Sequence, residues 1–339
     1  MSQKNETLIL FLASVIPICL IFSGLWIFRD IWQTNSNNNN ANITDNKVLA
    51  SRCEITVEGT FNYGGSTTWA PIRKDVDSVL QQNCPKFNLR YVQPPTGNPG
   101  SGTGIKMLID NQLTFSQSSR SVKAEENAQA QAKGFSLQEI PAAIDAIVVA
   151  VNPKLNIPGL TVNQIQGIYT GKITNWQAVG GPNLPITPIT RPKEAGGTVE
   201  FFVENILEKA SFGENISYIG TTTEALRKVA RIDGAIYYAS APEVVPQCTV
   251  KTLPIGRNSQ NFIVPYKEPY IPLSQCPNQR NQLNTVVFRN GDYPITRNLF
   301  VIVKKNGQID EQAGTAYANW ILTNQGQQLI EKAGFIRLK

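Results

Sequence analysis

The sequence of 339 residues contains no histidine. That absence removes serine–histidine and cysteine–histidine nucleophiles, histidine general bases and histidine metal ligands in one step. Runs of five or six like charges are also missing, and the net charge is only +6. The concentrated basic face or tail of a nucleic-acid-binding protein is therefore not expected. Lys106 is not embedded in a GxxxxGK[ST] loop, so a nucleotide-phosphate cradle is not expected either. There is no CxxC pair, no Asp/Glu cluster of metal-binding form and no repeat of fixed period. Together these absences leave no enzymatic reaction, cofactor or metal to expect.

What is present begins with residues 8–28, LILFLASVIPICLIFSGLWIF, an uncharged apolar run long enough to cross a bilayer as a helix. It is longer than a usual signal core and no small-x-small cleavage pattern follows it, so residues 1–30 are expected to form an uncleaved anchor rather than a removed signal. Cys19 lacks the small preceding residue of a lipidation site. Lys4 is offset by Glu6 and Arg29 by Asp30, so the charges do not orient the segment. The asparagine-rich stretch over residues 31–51 reads as a flexible tether. Four further cysteines, Cys53, Cys84, Cys248 and Cys276, fall into two sequence-local pairs. Cys53–Cys84 and Cys248–Cys276 is the simplest of three pairings, with buried free thiols as the alternative. Disulfides would place the globular part in an oxidising, extracytoplasmic compartment.

From Arg52 onward, short β-branched runs alternate with segments of helical period, the pattern of an α/β fold with largely parallel sheets. Strands are expected at Cys53–Val57, Leu89–Val92, Ala146–Val151, Ile186–Thr190, Ala235–Tyr238 and Leu299–Val303. Helices are expected at about 67–82, 103–110, 161–168, 198–210 and 222–231, with a long one at 314–332. Two apolar strands, starting at Asp145 and Asp233, bracket a central block. Their pairing suggests that the chain leaves one lobe and returns to it there, giving lobe I as 52–150 and 240–339 and lobe II as 151–239.

Four polar loops then stand out. Gly64-Gly-Ser-Thr-Thr-Trp-Ala-Pro71 opens a helix, and its hydroxyls at Ser66, Thr67 and Thr68 either cap that helix or face a ligand. Trp69 beside them either packs under the loop or floors a cleft. Asn98-Pro-Gly-Ser-Gly-Thr-Gly-Ile-Lys106 interleaves glycines with Ser101 and Thr103, so its backbone can approach a small oxyanion. Phe115-Ser-Gln-Ser-Ser-Arg120 reads as a turn ending in arginine. The fourth loop runs from Arg191 to Gly196-Gly-Thr198, a guanidinium followed by a helix start with exposed N–H donors.

In this order the four loops resemble those of the phosphate-binding proteins of ABC-type phosphate importers, within the type II periplasmic-binding-protein fold. The resemblance runs over residues 53 to 338 and includes Ile168-Tyr-Thr-Gly-Lys-Ile-Thr-Asn-Trp176 and Gly234-Ala-Ile-Tyr-Tyr238. It implies two lobes, built on two mixed sheets flanked by helices and joined by two hinge strands, which close over an anion. Matched residue by residue, it assigns Thr67 and Thr68, Ser101, Ser119 with Arg120 beside it, Arg191, Gly197 and Thr198 to the ligand. Many relatives have an aspartate where Ser119 stands, the usual serine of the fourth loop falls on Gly196, and Glu194 either supplies the missing acceptor or, as the favoured reading, is a solvated loop glutamate. Phosphate is the expected ligand, with sulfate or another tetrahedral oxyanion left open. The expected role is delivery to the membrane subunits of an importer by a monomeric protein, the alternative being an anchored sensor or binding module not coupled to transport.

Overall fold

The computed structural model describes residues 53–192 and 196–338. The expected anchor and tether, and Glu194 of the fourth loop, lie outside the described residues. Among those described, no helix is long and apolar enough to cross a membrane.

The chain builds an α/β fold of two lobes. The first strands, β1 (Gly59–Gly65), β2 (Phe87–Tyr91) and β3 (Phe115–Ser118), alternate with helices α1 (Ala70–Asn83) and α2 (Ser101–Ile109). β1 pairs in parallel with both β2 and β3. After α3 (Ala124–Ala132) comes β4 (Ser136–Val151), a strand of 16 residues. There follow β5 (Leu160–Thr161), α4 (Val162–Tyr169), β6 (Thr187–Thr190), α5 (Gly197–Asn205), β7 (Ser217–Tyr218), α6 (Thr222–Arg231) and β8 (Ala235–Ser240). The remaining elements are α7 (Ala241–Val244), β9 (Lys251–Leu253), β10 (Ile255–Asn258), β11 (Asn261–Ile263), α8 (Thr285–Arg289), β12 (Thr296–Lys305), α9 (Ile309–Ile321) and α10 (Asn324–Lys332).

The expectation of two sheets joined by two hinge strands needs adjustment. One mixed sheet runs β2-β1-β3-β12-β4-β8-β6-β7, with β9 also on β4, and a small second sheet holds β11-β10-β5. The continuity comes from the length of β4. Its first part, Ser136 to Ala146, pairs with β12, and its last part, Ile147 to Val151, pairs with β8. A single strand thus serves both halves. Residues Ala146–Val151 of β4 are wholly buried, as expected of a segment covered on both faces. Pro141 sits where the β4–β12 register shifts, the kind of place at which a strand tolerates a residue without an N–H.

Two main cores hold the lobes. One gathers Phe61, Trp69, Ile72, Val76, Phe115, Val301, Val303, Tyr317 and Ile321. The other gathers the end of β4 with Tyr169, Trp176, Phe202, Ile236, Tyr238, Val244, Leu253, Phe288 and Ile295. Each such fully buried side chain contributes about 1.5–3 kcal/mol from removal of apolar surface. Both disulfides are formed, Cys53–Cys84 with Cα atoms 5.1 Å apart and Cys248–Cys276 at 5.8 Å.

Three local expectations fail for identifiable reasons. Cys53–Val57 is not a strand, and pairing begins only at Gly59. The long helix at 314–332 is two helices, because Thr323 accepts a hydrogen bond from Gly326 N (3.1 Å) and caps a new start. Phe115–Ser118 is a wholly buried strand rather than a turn. Its polar side chains are satisfied internally: Gln117 donates to Tyr317 Oη (2.8 Å) and accepts from Arg73 (2.9 Å), and Ser118 donates to Arg120 O (2.6 Å).

Candidate functional site

Parallel pairing brings the C-terminal ends of β1 and β3 together, so the loops that leave them meet at one edge of the sheet, the usual position for ligands in α/β folds. Ser66 lies just past β1, Ser119 just past β3, and Ser101 opens α2. All three are wholly buried. Ser66 Oγ donates to Ser119 Oγ at 2.9 Å, Ser101 Oγ lies 3.2 Å from Ser119 Oγ, and Ser101 Oγ accepts from Ser119 N at 3.0 Å. Ser66 also caps the short 3-10 turn Thr67–Trp69 by accepting from Thr68 N (3.3 Å). Trp69 packs under the loop with no exposed surface, and its indole N–H donates to Ser118 O (3.0 Å), locking the turn to β3. From beneath, Arg73 donates to Ser66 O at 3.2 Å.

The opposite wall is the start of α5. Gly196 has φ of 118°, a left-handed conformation that only glycine adopts without strain. Gly197 sits directly on the serine hydroxyls: a Cβ there would come within 2.2 Å of Ser119 Oγ and 2.4 Å of Ser101 Oγ. The α5 N-terminus, with its unpaired N–H groups and partial positive charge, is thereby aimed at the hydroxyl wall. Thr198 Oγ1 reaches to 3.4 Å from Thr68 Oγ1 across the junction, and Thr67 Oγ1 lies beside Gly196.

The two arginines expected at the ligand fare differently. Arg191 donates through Nε to Gly220 O (3.3 Å) and lines a small cavity with Thr198, Thr222, Tyr237, Tyr238 and Glu243. Thr198 connects this cavity to the serine cluster. Arg120, by contrast, is not brought to the cluster. Its Nη atoms bond Glu126 (2.6 and 2.9 Å) and Ser121 O (2.7 Å), and its Nε bonds Glu200. Burial works against the Arg120 charge, but Glu126 and Glu200 more than offset it and its pKa moves up. Its donors are thus committed to carboxylates, and it joins α3 to α5.

Two residues at the junction carried no signal as site residues in the sequence. Arg297, near the start of β12, is buried and donates through Nη2 to Thr198 Oγ1 (2.9 Å) and Thr68 Oγ1 (3.2 Å) and through Nη1 to Gly197 O (3.1 Å). Its Nε and Nη2 also bond Asp145 Oδ2, at 3.0 and 2.8 Å. Asp145 is wholly buried, and its other oxygen accepts from Ser240 Oγ. Burial pushes the Asp145 carboxyl up, while Arg297 and Ser240 pull it back toward ionisation. The one available signal was a lone charge set within an apolar strand on each side.

A family model described as a PBP superfamily domain matches residues 51–325. Among curated proteins, the phosphate-binding protein PstS of Staphylococcus epidermidis is 24% identical over 285 residues, covering 83% of this chain and 79% of that protein. PstS of Staphylococcus aureus strain RF122 is 25% identical over 287 residues, again covering 83% of this chain and 79% of that protein. Among solved structures, an ABC transporter substrate-binding protein from Clostridium perfringens with bound phosphate aligns at a TM-score of 0.64 and 23% identity, covering 83% of this chain and all of that one (100%). An ABC-type phosphate transport receptor from Vibrio cholerae aligns at 0.62 and 19%, covering 82% and 100%.

Proposed function

The chain belongs to the PBP superfamily, and on that footing we propose that it binds inorganic phosphate, or a closely similar tetrahedral oxyanion, between its lobes and delivers it to the membrane subunits of an ABC importer. The observation that carries this reading is the convergence of Thr68, Ser66, Ser101 and Ser119 from one wall with Gly197 and Thr198 from the other, around a helix start. Hydroxyls and N–H groups there replace the water of an anion, and Arg191 beside Thr198 supplies the cation. The phosphate-binding relatives support the choice of anion. Binding, with no reaction, is the whole of the activity in this reading.

The lobe division is part of the proposal. Side chains after Ser240, from Val244 to Ile295, pack in the same core as the end of β4 and β8. The return to lobe I is therefore better placed at the start of β12 than at residue 240, with lobe I as about 53–145 and 296–338 and lobe II between them. Anchoring through residues 1–30, an extracytoplasmic location and a monomeric state complete the proposal. Calorimetric titration of the full-length protein in detergent with phosphate, sulfate and arsenate tests it. Saturable binding of phosphate is expected, and absence of heat with all three anions would end this reading.

A further inference from the structure

We propose that Arg297, held by Asp145, is a positioning residue that turns the hydroxyls of Thr68 and Thr198, one on each wall, into hydrogen-bond donors for the anion. This rests on the oxyanion-binding reading above and deepens it. The argument is one of donors and acceptors. A guanidinium has five N–H donors and no acceptor, whereas a threonine hydroxyl has one hydrogen and two lone pairs. Nη2 of Arg297 has two hydrogens and three acceptors, Asp145 Oδ2 at 2.8 Å, Thr198 Oγ1 at 2.9 Å and Thr68 Oγ1 at 3.2 Å. With one hydrogen on Asp145, the other is shared by the two threonine oxygens, and both accept from it. Their own hydrogens must then point elsewhere. The two oxygens are 3.4 Å apart, so one hydroxyl can donate to the other. At least one hydrogen remains for a third partner, and that partner must be an acceptor. A ligand of oxygen acceptors takes that hydrogen, whereas an ammonium group, which has no acceptor, leaves it unsatisfied.

Arg297 cannot turn away from this task because its other contacts fix it. Arg297 and Asp145 stand directly opposite in the β12–β4 register, so the ion pair is built into the ladder. Asp145 takes Nε and Nη2 on one oxygen and Ser240 on the other. Nη1 donates to Gly197 O at the start of α5. One side chain thus touches the turn after β1, the start of α5 and the strand shared by both lobes. These contacts are all made only when the two walls are together. Because Asp145 balances its charge, Arg297 adds little net attraction for the anion; it sets hydroxyl direction.

The test is a coupling measurement with inorganic phosphate, by calorimetry on the full-length protein. Arg297→Lys keeps the charge but loses the planar fork that reaches Thr68, Thr198 and Gly197 together. Phosphate affinity is expected to fall by about tenfold or more, and this loss should shrink to less than about threefold when Thr68→Val and Thr198→Val are already present. A merely structural role would weaken binding equally in both backgrounds, and that result overturns the proposal. Should Arg297→Lys not fold, Asp145→Asn/Arg297→Gln removes both buried charges together and is measured in the same two backgrounds. Failure of the unsubstituted protein to bind any oxyanion removes the parent reading and this inference with it. Phosphate binding that survives Arg297→Lys unchanged removes this inference alone.

Discussion

Contact distances at single atoms decide how much the site tolerates. Gly197 is the sharpest case, because alanine is the better helix former by about 1 kcal/mol yet its Cβ would stand 2.2 Å from Ser119 Oγ. The overlap is with side chains that are themselves wholly buried, so α5 must retreat from the serines. Gly197→Ala is expected to weaken phosphate binding by about tenfold or more in calorimetry, and an affinity equal to the parent's would show that the α5 start does not face the anion. Asp77, below the first loop, gives a pH prediction. Its carboxyl is pushed up to about 6 from 3.8, chiefly by burial, against hydrogen bonds from Tyr63 and Tyr317 and the charge of Arg73. In the window from about 4 to about 6 the folded protein therefore holds a proton that the unfolded chain releases. Stability from this group is present at the acid end and is lost as pH rises through the window. Asp77→Asn cannot titrate, so relative to the parent it should gain melting temperature between about pH 4 and about pH 7; a parallel pH profile would refute the assignment. At this scale the sequence was legible where glycine and hydroxyl residues cluster ahead of a helix, as at Ser101 and Thr198. Arg297 and Asp145 were not legible, since each is an isolated charge in an apolar strand and its partner lies 152 residues away.

Secondary-structure elements were legible in proportion to their apolar periodicity. The helix over 222–231 was read to its ends, because Thr221 caps it and its apolar stripe is regular. The strand at 146–151 was read from its apolar run, but its first ten residues were not, since Ser136 to Asp145 mixes polar residues with Pro141. β3 was hidden for the opposite reason, as serine and glutamine fill a buried strand whose partners come from Tyr317 and Arg73. The Cys248–Cys276 bridge ties the segment after α7 to the loop before α8, closing a stretch that holds the short strands β9, β10 and β11. Closing 28 residues of chain should contribute roughly 3–4 kcal/mol on loop entropy. Cys248→Ser/Cys276→Ser is thus expected to lower the midpoint of chemical denaturation by a corresponding amount, and a midpoint unchanged from the parent would show that the loop is held by packing instead.

On the scale of the whole molecule, the question is what holds the two walls together. The contacts across the junction are close, since a Cβ on Gly100 would lie 2.9 Å from Gly196 Cα. They combine hydroxyl contacts of neutral groups worth only about 0.5–1.5 kcal/mol each with the bonds of Arg120 to Glu200 and of Arg297 to Thr198 and Gly197 O, whose gain is offset by the desolvation of buried charge. The positive end of α5 facing neutral serines gains little from closure by itself. An anion between them changes this balance, because its charge interacts with that helix end and with Arg191 in a site from which water is excluded. Phosphate should therefore bind the closed arrangement better than any open one and shift the population toward it. Small-angle scattering of the full-length protein is expected to show a smaller radius of gyration with phosphate than without. Arg191→Ala removes the cation on one wall and leaves the serine wall intact, so the phosphate concentration needed for half of this compaction should rise by about tenfold or more. If the midpoint stays where it is in the parent while the variant remains folded, the charge that drives closure does not come from Arg191, and the helix start must supply it alone.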